Sequence, residues 1–240
     1  MTMKKIVVLS GAGISAESGI STFRAGGGLW NNYDPMEIAS DKGWKNNPAL
    51  VLDFYNQRRA QLAEVKPNKA HLDIAALEED YDVVVITQNV DNLHEVAGSS
   101  KIIHLHGELT KVRPEDSYTL EDRYDESRVK DVGFSAVALG DVDERGVQYR
   151  PHIVFFGEAV PKLVDALKEL VEADYMIIVG TSLLVQPAAS LWQYTPVDCP
   201  VYVVDPEETP IDGEEGVVPI KEKATVGVST AIGMINGNTI

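Results

Sequence analysis

Cysteine is nearly absent from this chain, because Cys199 is the only one among 240 residues. A single thiol excludes a disulfide within the chain and any metal site built from several cysteines. Runs of about 18 apolar residues, which a membrane-spanning helix needs, are also missing. The N-terminus is basic and then apolar, but it turns at once into a glycine-rich loop, which indicates a first strand rather than a signal peptide. We therefore expect a cytoplasmic protein with no membrane partner.

Basic residues are scarce, since 21 Lys and Arg face 37 Asp and Glu and the formal net charge is −16. Nucleic acid is therefore not an expected partner, because binding to phosphates requires a basic face. The negative charge is compatible with attraction of cationic partners such as lysine-rich peptides. Solubility alone explains the same charge.

The apolar residues occur in short, nearly continuous runs, a pattern typical of strands that are buried on both faces. Stretches with a helical pattern lie between several of these runs, so the sequence predicts an α/β protein with a doubly wound, parallel, Rossmann-like sheet. The expected strands are 6–10, 83–87, 153–156, 175–180 and 201–205, and the expected helices are 48–62, 68–80 and 162–173.

Residues 110–150 interrupt this alternation, because they are polar and contain ten acidic and five basic residues from 114 to 150. An unstructured loop of that length is unusual in a compact domain, so we expect a smaller inserted subdomain. The predicted Rossmann-like domain comprises 1–35, 67–109 and 151–240, and the small discontinuous domain comprises 36–66 and 110–150.

The stretch LSGAGISAESGISTFR, residues 9–24, follows the first expected strand. Gly11 and Gly13 would allow a tight turn and close approach to a phosphate, and Ala16 takes the third small position of a dinucleotide fingerprint. A structural glycine turn would give the same pattern. The acidic residue that closes the usual dehydrogenase motif about 20 positions later is absent, and a glycine-rich loop follows instead.

Polar residues follow two other expected strands. In TQNVDNLH, residues 87–94, Asn89 and Asp91 could hydrogen-bond a ribose or an amide in the ligand crevice, or they could simply cap the next helix. In HLHG, His104 and His106 share one face of an extended segment. His106, nearer the carboxyl end, should reach the crevice and could accept a proton near pH 7. A structural histidine is the alternative.

Taken together, the motifs GAGIS, AESGI, FR, TQNVD, HLHGE, FFGE and GTSL resemble, in order and spacing, those of the sirtuins, which are NAD-dependent protein-lysine deacylases. The chain is most similar to the bacterial class III type, whose loop reads Thr-Phe-Arg. The resemblance implies release of nicotinamide and an O-acyl-ADP-ribose from NAD and an acyl-lysine protein or peptide.

The same resemblance implies roles for individual residues. His106 would be the general base that deprotonates the ribose, Asn89 would hold the ribose and an ordered water, and Asp91 would bind the nicotinamide carboxamide, while His104 would be a packing or supporting residue. The implied NAD-binding residues are Gly11, Ala12, Gly13, Ser15, Arg24, Gln88, Gly180, Thr181 and Ser182. Phe155, Gly157 and Glu158 match the segment that pairs with the substrate peptide as an added strand.

Two features depart from the family pattern. Asp205 stands where an asparagine-bearing segment is usual, and an acidic residue at a strand end can accept a ribose hydroxyl, which favours NAD over NADP. Sirtuins also hold a structural zinc with two Cys-x-x-Cys pairs, whereas residues 110–150 contain neither cysteine nor histidine. We therefore expect no structural metal.

Tyr55 and Arg58 indicate which acyl group the protein removes. They lie three residues apart and share a helix face. Sirtuins that remove succinyl, malonyl or glutaryl groups carry a Tyr-x-x-Arg pair at this place, and a guanidinium with a phenol can bind a terminal carboxylate. The resemblance thus implies desuccinylation or demalonylation, and deacetylation as well. The alternative for Arg58 and Arg59 is that they are solvated helix charges.

Two other functions remain open from the sequence. An NAD-cleaving ADP-ribosyltransferase or NADase would use the same pocket on another acceptor, without a need for Tyr55 or Arg58. A non-catalytic NAD or ADP-ribose sensor would not need Asn89, Asp91 and His106 together.

Overall fold

The fold was obtained as a computed structural model that describes residues 3–21, 33–116 and 125–237. Its strands are β1 Lys5–Ser10, β2 Asp82–Thr87, β3 Ile102–His104, β4 Gly107–Pro114, β5 Lys130–Asp131, β6 Tyr149–Ile153, β7 Tyr175–Val179, β8 Val201–Val204 and β9 Val217–Ile220. Its α-helices are α1 Gly13–Ala16, α2 Pro35–Ile38, α3 Asp41–Asn46, α4 Pro48–Leu62, α5 Lys69–Ala76, α6 Leu93–Ala97, α7 Leu163–Leu170 and α8 Ala224–Ile235.

The large sheet is parallel and has the strand order β3-β2-β1-β7-β8-β9. β1 lies in the middle of the sheet, and its residues 6–9 are completely buried because both faces are covered. Helices α5 and α8 pack on one face, and α7 packs on the other together with the buried Cys199. The predicted doubly wound, parallel sheet is therefore confirmed.

Helix α4 has the bounds that the sequence predicts. Pro48 begins it at a position where the missing N–H costs nothing, and the Asn47 side chain accepts a hydrogen bond from Leu50 N at 3.1 Å. The expected helix 68–80 is α5 followed by a 3-10 turn over Leu77–Glu79, and the expected helix 162–173 is shortened to α7. Of the helices described, none combines the length and apolar character required to span a membrane.

The prediction of a sheet strand at 153–156 is wrong. Ile153 ends β6, which pairs antiparallel with β4 in a separate small sheet of order β5-β4-β6, and Phe156 makes only an isolated bridge to Ser40. Of this apolar run, Ile153 and Phe155 are buried in the cluster beside the small sheet rather than in the large sheet, and Phe156 is exposed. The parallel sheet is completed by β3, the short strand expected before HLHG, and by β9, which is short, less continuously apolar and has no counterpart among the expected strands.

The small sheet packs with α2–α4 around one apolar cluster, which includes Phe54, Val112 and Phe155. β4 begins at Gly107 and β6 ends at Ile153, so this sheet extends slightly beyond the expected insert of 110–150 at both ends. The division into two domains stays a prediction.

Few apolar side chains of the insert are buried among the residues that the structure describes. Val137 is buried and Val132 packs against the small-domain core, but Phe134 and Leu139 are about half exposed. Tyr118, Leu120 and Tyr124 lie outside the described residues. The core therefore comes mainly from α4 and the β4–β6 pair, which the local sequence of the insert cannot reveal.

We predict that metal removal leaves this fold unchanged. The small sheet packs with α4 in one apolar cluster, Arg128 and Asp143 form an ion pair at 2.6 Å, and residues 110–150 carry no cysteine or histidine. EDTA should therefore not shift the melting temperature, and elemental analysis should find no stoichiometric zinc. One zinc per chain, with unfolding on chelation, would contradict this expectation.

Candidate active site

Three glycines bring the turns after β1 and β7 into backbone contact. Gly11 N donates to Val179 O at 3.0 Å and Gly13 N donates to Gly180 O at 2.8 Å. A Cβ on Gly13 would lie 2.6 Å from Gly180 Cα, and Gly180 itself has a φ of +62°. Neither contact leaves room for a side chain, so the sequence pattern reflects a true steric requirement.

The turn after β2 places polar side chains against this glycine turn. Asn89 Nδ2 donates to Gly11 O at 3.1 Å and contacts Ser15 Oγ at 3.3 Å. Ser15 Oγ in turn donates to Asp91 Oδ2 at 3.0 Å. All three side chains are buried, and they form one connected polar cluster at the carboxyl edge of the parallel sheet.

The other predicted cofactor residues that the structure describes lie along the same edge. Gln88 Nε2 donates to Thr181 Oγ1 at 2.9 Å, which links the turns after β2 and β7, and Ser182 follows in the same turn. Asp205 directly follows β8, is 9% exposed and accepts a hydrogen bond from Glu207 N. Arg24 lies outside the described residues.

The two histidines of HLHG form hydrogen bonds with the carbonyl groups of two consecutive residues. His106 Nδ1 lies 3.0 Å from Gln88 O, and His104 Nδ1 lies 3.1 Å from Asn89 O. A carbonyl oxygen can only accept, so each Nδ1 carries a proton. In neutral His106 the lone pair is therefore on Nε2, which makes no hydrogen bond with any described residue, whereas His104 Nε2 is hydrogen-bonded to Glu95 Oε1 at 2.7 Å.

The surroundings of the two imidazoles shift their pKa values in opposite directions. Burial lowers the pKa of His106 below 6.5, and the hydrogen bond to Gln88 offsets only part of that effect. Burial also lowers the pKa of His104, but the hydrogen bond and charge of Glu95 outweigh it, so the net pKa is raised. At neutral pH His106 is thus the neutral imidazole that can accept a proton.

A second pair of histidines lies beneath the site, and the sequence reasoning missed it. His94 Nε2 bonds Ser10 Oγ at 2.9 Å, and its ring packs edge-on against His71 with centroids 4.9 Å apart. Burial lowers the pKa of His71 to about 4 and that of His94 well below 6.5. Both are isolated histidines in helical segments, and nothing in the local sequence distinguishes them from surface residues.

Tyr55 and Arg58 lie on α4 beside the apolar cluster of the small sheet, Tyr55 buried and Arg58 partly buried. Tyr55 is 3% exposed and stacks on Phe155, while the Arg58 guanidinium lies over the Phe54 ring at 4.0 Å. Burial raises the pKa of Tyr55 and lowers that of Arg58. The neighbouring Arg59 is completely buried and donates to Leu109 O at 2.8 Å. The alternative of solvated helix charges is therefore wrong.

The FFGE segment is fixed by a buried ionic network that the sequence did not reveal. Glu158 accepts from Phe155 N at 2.8 Å and pairs with Arg150 at 2.7 Å and Arg113 at 3.3 Å. Arg150 also lies over the Phe155 ring at 3.8 Å. Gly157 has a φ of +90°, a backbone conformation that residues with a side chain rarely adopt. Glu158 thus shapes this segment through its carboxylate.

Comparison with known proteins agrees with this geometry. A profile of the Sir2 family matches residues 11–187. The chain belongs to the Sir2 family. An NAD-dependent protein deacylase of Helicobacter pylori is 53% identical over 222 residues, covering 92% of this chain and 93% of that one.

Solved structures are similar to this Sir2 protein over nearly its whole length. A Sir2 homolog–NAD complex has a TM-score of 0.84 and 36% identity, covering 99% of this chain and 91% of that one. A Sir2 structure with a deacetylated p53 peptide and 3′-O-acetyl-ADP-ribose has a TM-score of 0.78 and 30% identity, covering 99% of this chain and 95% of that one.

The edge of the sheet in this Sir2 protein fits a dinucleotide. The glycine turn exposes backbone instead of side chains, and the Ala12 amide makes no hydrogen bond with any described residue. Asp205 supplies a carboxylate at the end of β8, where a ribose hydroxyl can donate to it. These groups suit an anionic, ribose-containing ligand.

One side-chain group of this Sir2 protein, among the described residues, has the composition of a metal site. Ligand atoms of Glu95, His104 and Glu108 lie within 4.8 Å of one another. The ion pair of His104 with Glu95 and that of Lys111 with Glu108, both at 2.7 Å, already satisfy these groups. The cluster therefore needs no metal for its charge balance.

Gly13→Ala should destabilise this Sir2 protein, because the new Cβ meets backbone atoms of Gly180 that cannot move aside. We expect a loss of about 1–3 kcal/mol in the free energy of unfolding, measured by urea denaturation. Gly233→Ala is the matched control. It lies in α8 with open space around its Cβ position, so alanine should stabilise the helix by up to about 1 kcal/mol. Equal effects of both substitutions would contradict the steric interpretation.

Acid should destabilise the fold through His71. Below pH 6.5 the unfolded chain binds a proton on this histidine, whereas the folded chain excludes it until about pH 4, so stability falls as the pH falls through that range. At pH 5 this one group should cost roughly 2 kcal/mol relative to pH 7.5. Urea unfolding of the wild type and of His71→Gln at both pH values isolates the contribution of His71, because the other titratable residues are the same in both proteins. Equal pH dependence of the two proteins would exclude it.

Proposed function

We propose that this Sir2 protein is an NAD-dependent protein deacylase that acts on lysines carrying acidic acyl groups. NAD-dependent protein deacylation, without regard to the acyl group, is supported by two relatives that are named NAD-dependent protein deacylases. They are 53% and 49% identical to this chain over more than nine-tenths of both chains. The observation that carries the assignment is His106, a neutral imidazole that donates to the carbonyl of Gln88, the residue directly before Asn89 of the Asn89–Ser15–Asp91 cluster.

NAD bound at this edge supplies a ribose carbon that accepts the acyl oxygen as nicotinamide leaves. Gly11, Ala12 and Gly13 would bind the pyrophosphate with their backbone, and Asp205 would accept ribose hydroxyl protons. Gln88, Thr181, Ser182 and Gly180 would complete the wall along β2 and β7. Arg24 is proposed from the resemblance alone.

Asn89 and Asp91 would organise the reacting end. The Asn89 amide already donates to Gly11 O and Ser15 Oγ, so its remaining amide oxygen can accept a hydrogen bond from a ribose hydroxyl or a water. Burial raises the pKa of Asp91, and hydrogen bonds from Leu93 N and Ser15 oppose the shift. A carboxyl group held in this way suits the nicotinamide carboxamide, which offers both donors and an acceptor.

His106 would act as the general base. Its Nδ1 proton is donated to Gln88 O, which leaves Nε2 able to remove a proton from the ribose. Burial keeps the imidazole neutral at pH 7, so no proton has to be lost before the reaction. Water would then release the deacylated lysine and an O-acyl-ADP-ribose.

Tyr55 and Arg58 support the choice of acidic acyl groups. Because burial raises its pKa, the Tyr55 phenol keeps its proton at neutral pH and can donate a hydrogen bond. The Arg58 guanidinium is positively charged and lies among Tyr33, Phe54 and Tyr55. The terminal carboxylate of a succinyl or malonyl group could pair with the guanidinium and accept a hydrogen bond from the phenol. Acetyl-lysine would fit with fewer contacts, so deacetylation is proposed as well.

The segment Phe155, Gly157 and Glu158 is proposed to bind the substrate peptide as an added strand. Glu158 would act by fixing the backbone through Arg113 and Arg150 rather than by touching the peptide. The cytoplasm is the proposed location, and no nucleic acid is expected at so acidic a protein.

ADP-ribosyl transfer or NAD hydrolysis remains the second candidate, because it would use Asn89 and His106 in the same way. The position of Tyr55 and Arg58 favours deacylation, because a guanidinium and a phenol side by side can bind an acyl carboxylate, whereas the competing reactions have no need of this pair. Mass spectrometry of products from acetyl- and succinyl-lysine peptides with NAD separates these activities, and no turnover at all would indicate a sensor.

The rate of deacylation should fall on the acid side with an apparent pKa below 6.5. His106 must be neutral to accept the ribose proton, and its pKa is lowered, so activity is lost as the pH falls through that value. The pH profile of kcat checks this, and His106→Ala should lower kcat by about a hundredfold or more while NAD still binds in calorimetry. An acid limb above 6.5 would point to His104, whose pKa is raised.

Arg58→Met should weaken desuccinylation much more than deacetylation. The loss of a charge-assisted hydrogen bond corresponds to roughly a tenfold to hundredfold lower kcat/KM on the succinyl peptide. Gln57→Met, one residue earlier and exposed, is the matched control and should change neither activity. Equal losses on both peptides would show that Arg58 does not bind the acyl carboxylate.

A further inference from the structure

His104 lies between a carboxylate and the backbone of Asn89. Its Nε2 is 2.7 Å from Glu95 Oε1, and its Nδ1 is 3.1 Å from Asn89 O. Its side chain is 8% exposed, while that of Glu95 is 38% exposed. Both ring nitrogens therefore have partners, and both partners belong to the turn and helix that follow β2.

Apart from His104, the Asn89 carbonyl accepts no hydrogen bond from any described residue. Asn89 follows the end of β2, so its carbonyl makes no ladder hydrogen bond, and its own N–H donates to Thr87 Oγ1 at 3.0 Å. The side chain reaches Gly11 O and Ser15 Oγ on the opposite side. The hydrogen bond from His104 thus fixes the peptide plane on the carboxyl side of Asn89 Cα, and with the plane held by Thr87 on the amino side it sets the direction in which the Asn89 side chain leaves the backbone.

Glu95 fixes the imidazole in turn. It lies on α6, three residues after Asn92, which directly precedes that helix, and its carboxylate can only accept. The ring is therefore held at both ends, and its rotation would break two hydrogen bonds at once. Such a second partner orients a histidine in the way that carboxylates orient catalytic imidazoles.

We propose that His104, held by Glu95, is a positioning residue that fixes the Asn89 side chain for reaction with the ribose. This inference rests on the proposed function insofar as Asn89 acts on the ribose. His104 touches no reacting atom. Because a displacement of about 1 Å near the reacting groups can lower a rate a hundredfold, loss of this contact should lower kcat more than it raises KM for NAD.

Two substitutions at His104 separate its two contacts. The amide nitrogen of asparagine can take the place of Nδ1, so His104→Asn can still donate to Asn89 O but cannot reach Glu95. The amide nitrogen of glutamine can take the place of Nε2, so His104→Gln can reach Glu95 but not Asn89 O. We expect His104→Gln to lower kcat about ten- to hundredfold with KM for NAD little changed. His104→Asn should recover most of that loss.

A readout that does not depend on turnover is the side-chain amide resonance of Asn89, assigned by its loss in Asn89→Ala. It should shift or broaden in His104→Gln and stay near its wild-type position in His104→Asn. This NMR measurement separates the two ideas: a wild type without deacylase activity would refute the proposed function, while the amide resonance would still report on positioning.

A purely structural role gives different results. In that case both substitutions would lower kcat in proportion to their loss of melting temperature, and the Asn89 resonance would not distinguish them. Equal kcat values for His104→Gln and the wild type would also overturn the proposal. A KM for NAD that rises with no change in kcat would do the same, because it would show that His104 supports binding rather than the position of Asn89.

Discussion

The backbone contact between the turns after β1 and β7 is the constraint on which the site depends. Gly13 and Gly180 approach so closely that neither can carry a side chain, and two main-chain hydrogen bonds join the turns. This contact places the Gly11 carbonyl where Asn89 can donate to it, and Ser15 where it can reach Asp91. The polar cluster is thus assembled on main-chain atoms, which move less than side chains.

The sequence predicted the large sheet well because its central strands leave a direct trace. Strands buried on both faces must be apolar throughout, so β1, β2, β7 and β8 are visible as continuous runs. The same rule misassigned residues 153–156, since a run of apolar residues does not show which core it enters. β9, with Pro219 and partly exposed valines, gave too weak a pattern to be recognised.

The site was predictable where chemistry and spacing coincide, and unpredictable where partners come from distant segments. The choice of His106 over His104 followed from the resemblance to sirtuins together with its position nearer the carboxyl end of the strand, and the opposite pKa shifts of the two agree with it. By contrast, Arg113, Arg150 and Glu158 meet only because β4 and β6 pair across the insert. The buried contact of His94 with His71 likewise depends on how α5 packs against α6.

The buried position of Cys199 has a consequence for the behaviour of the protein under oxidation. Burial raises the pKa of this thiol to about 11, so almost none of it is in the reactive thiolate form at neutral pH. Peroxide and alkylating reagents should therefore act on it slowly, and the chain offers them no other thiol. A cysteine introduced at an exposed position would accordingly be modified alone, which makes this protein a convenient scaffold for attaching a spectroscopic label near the site.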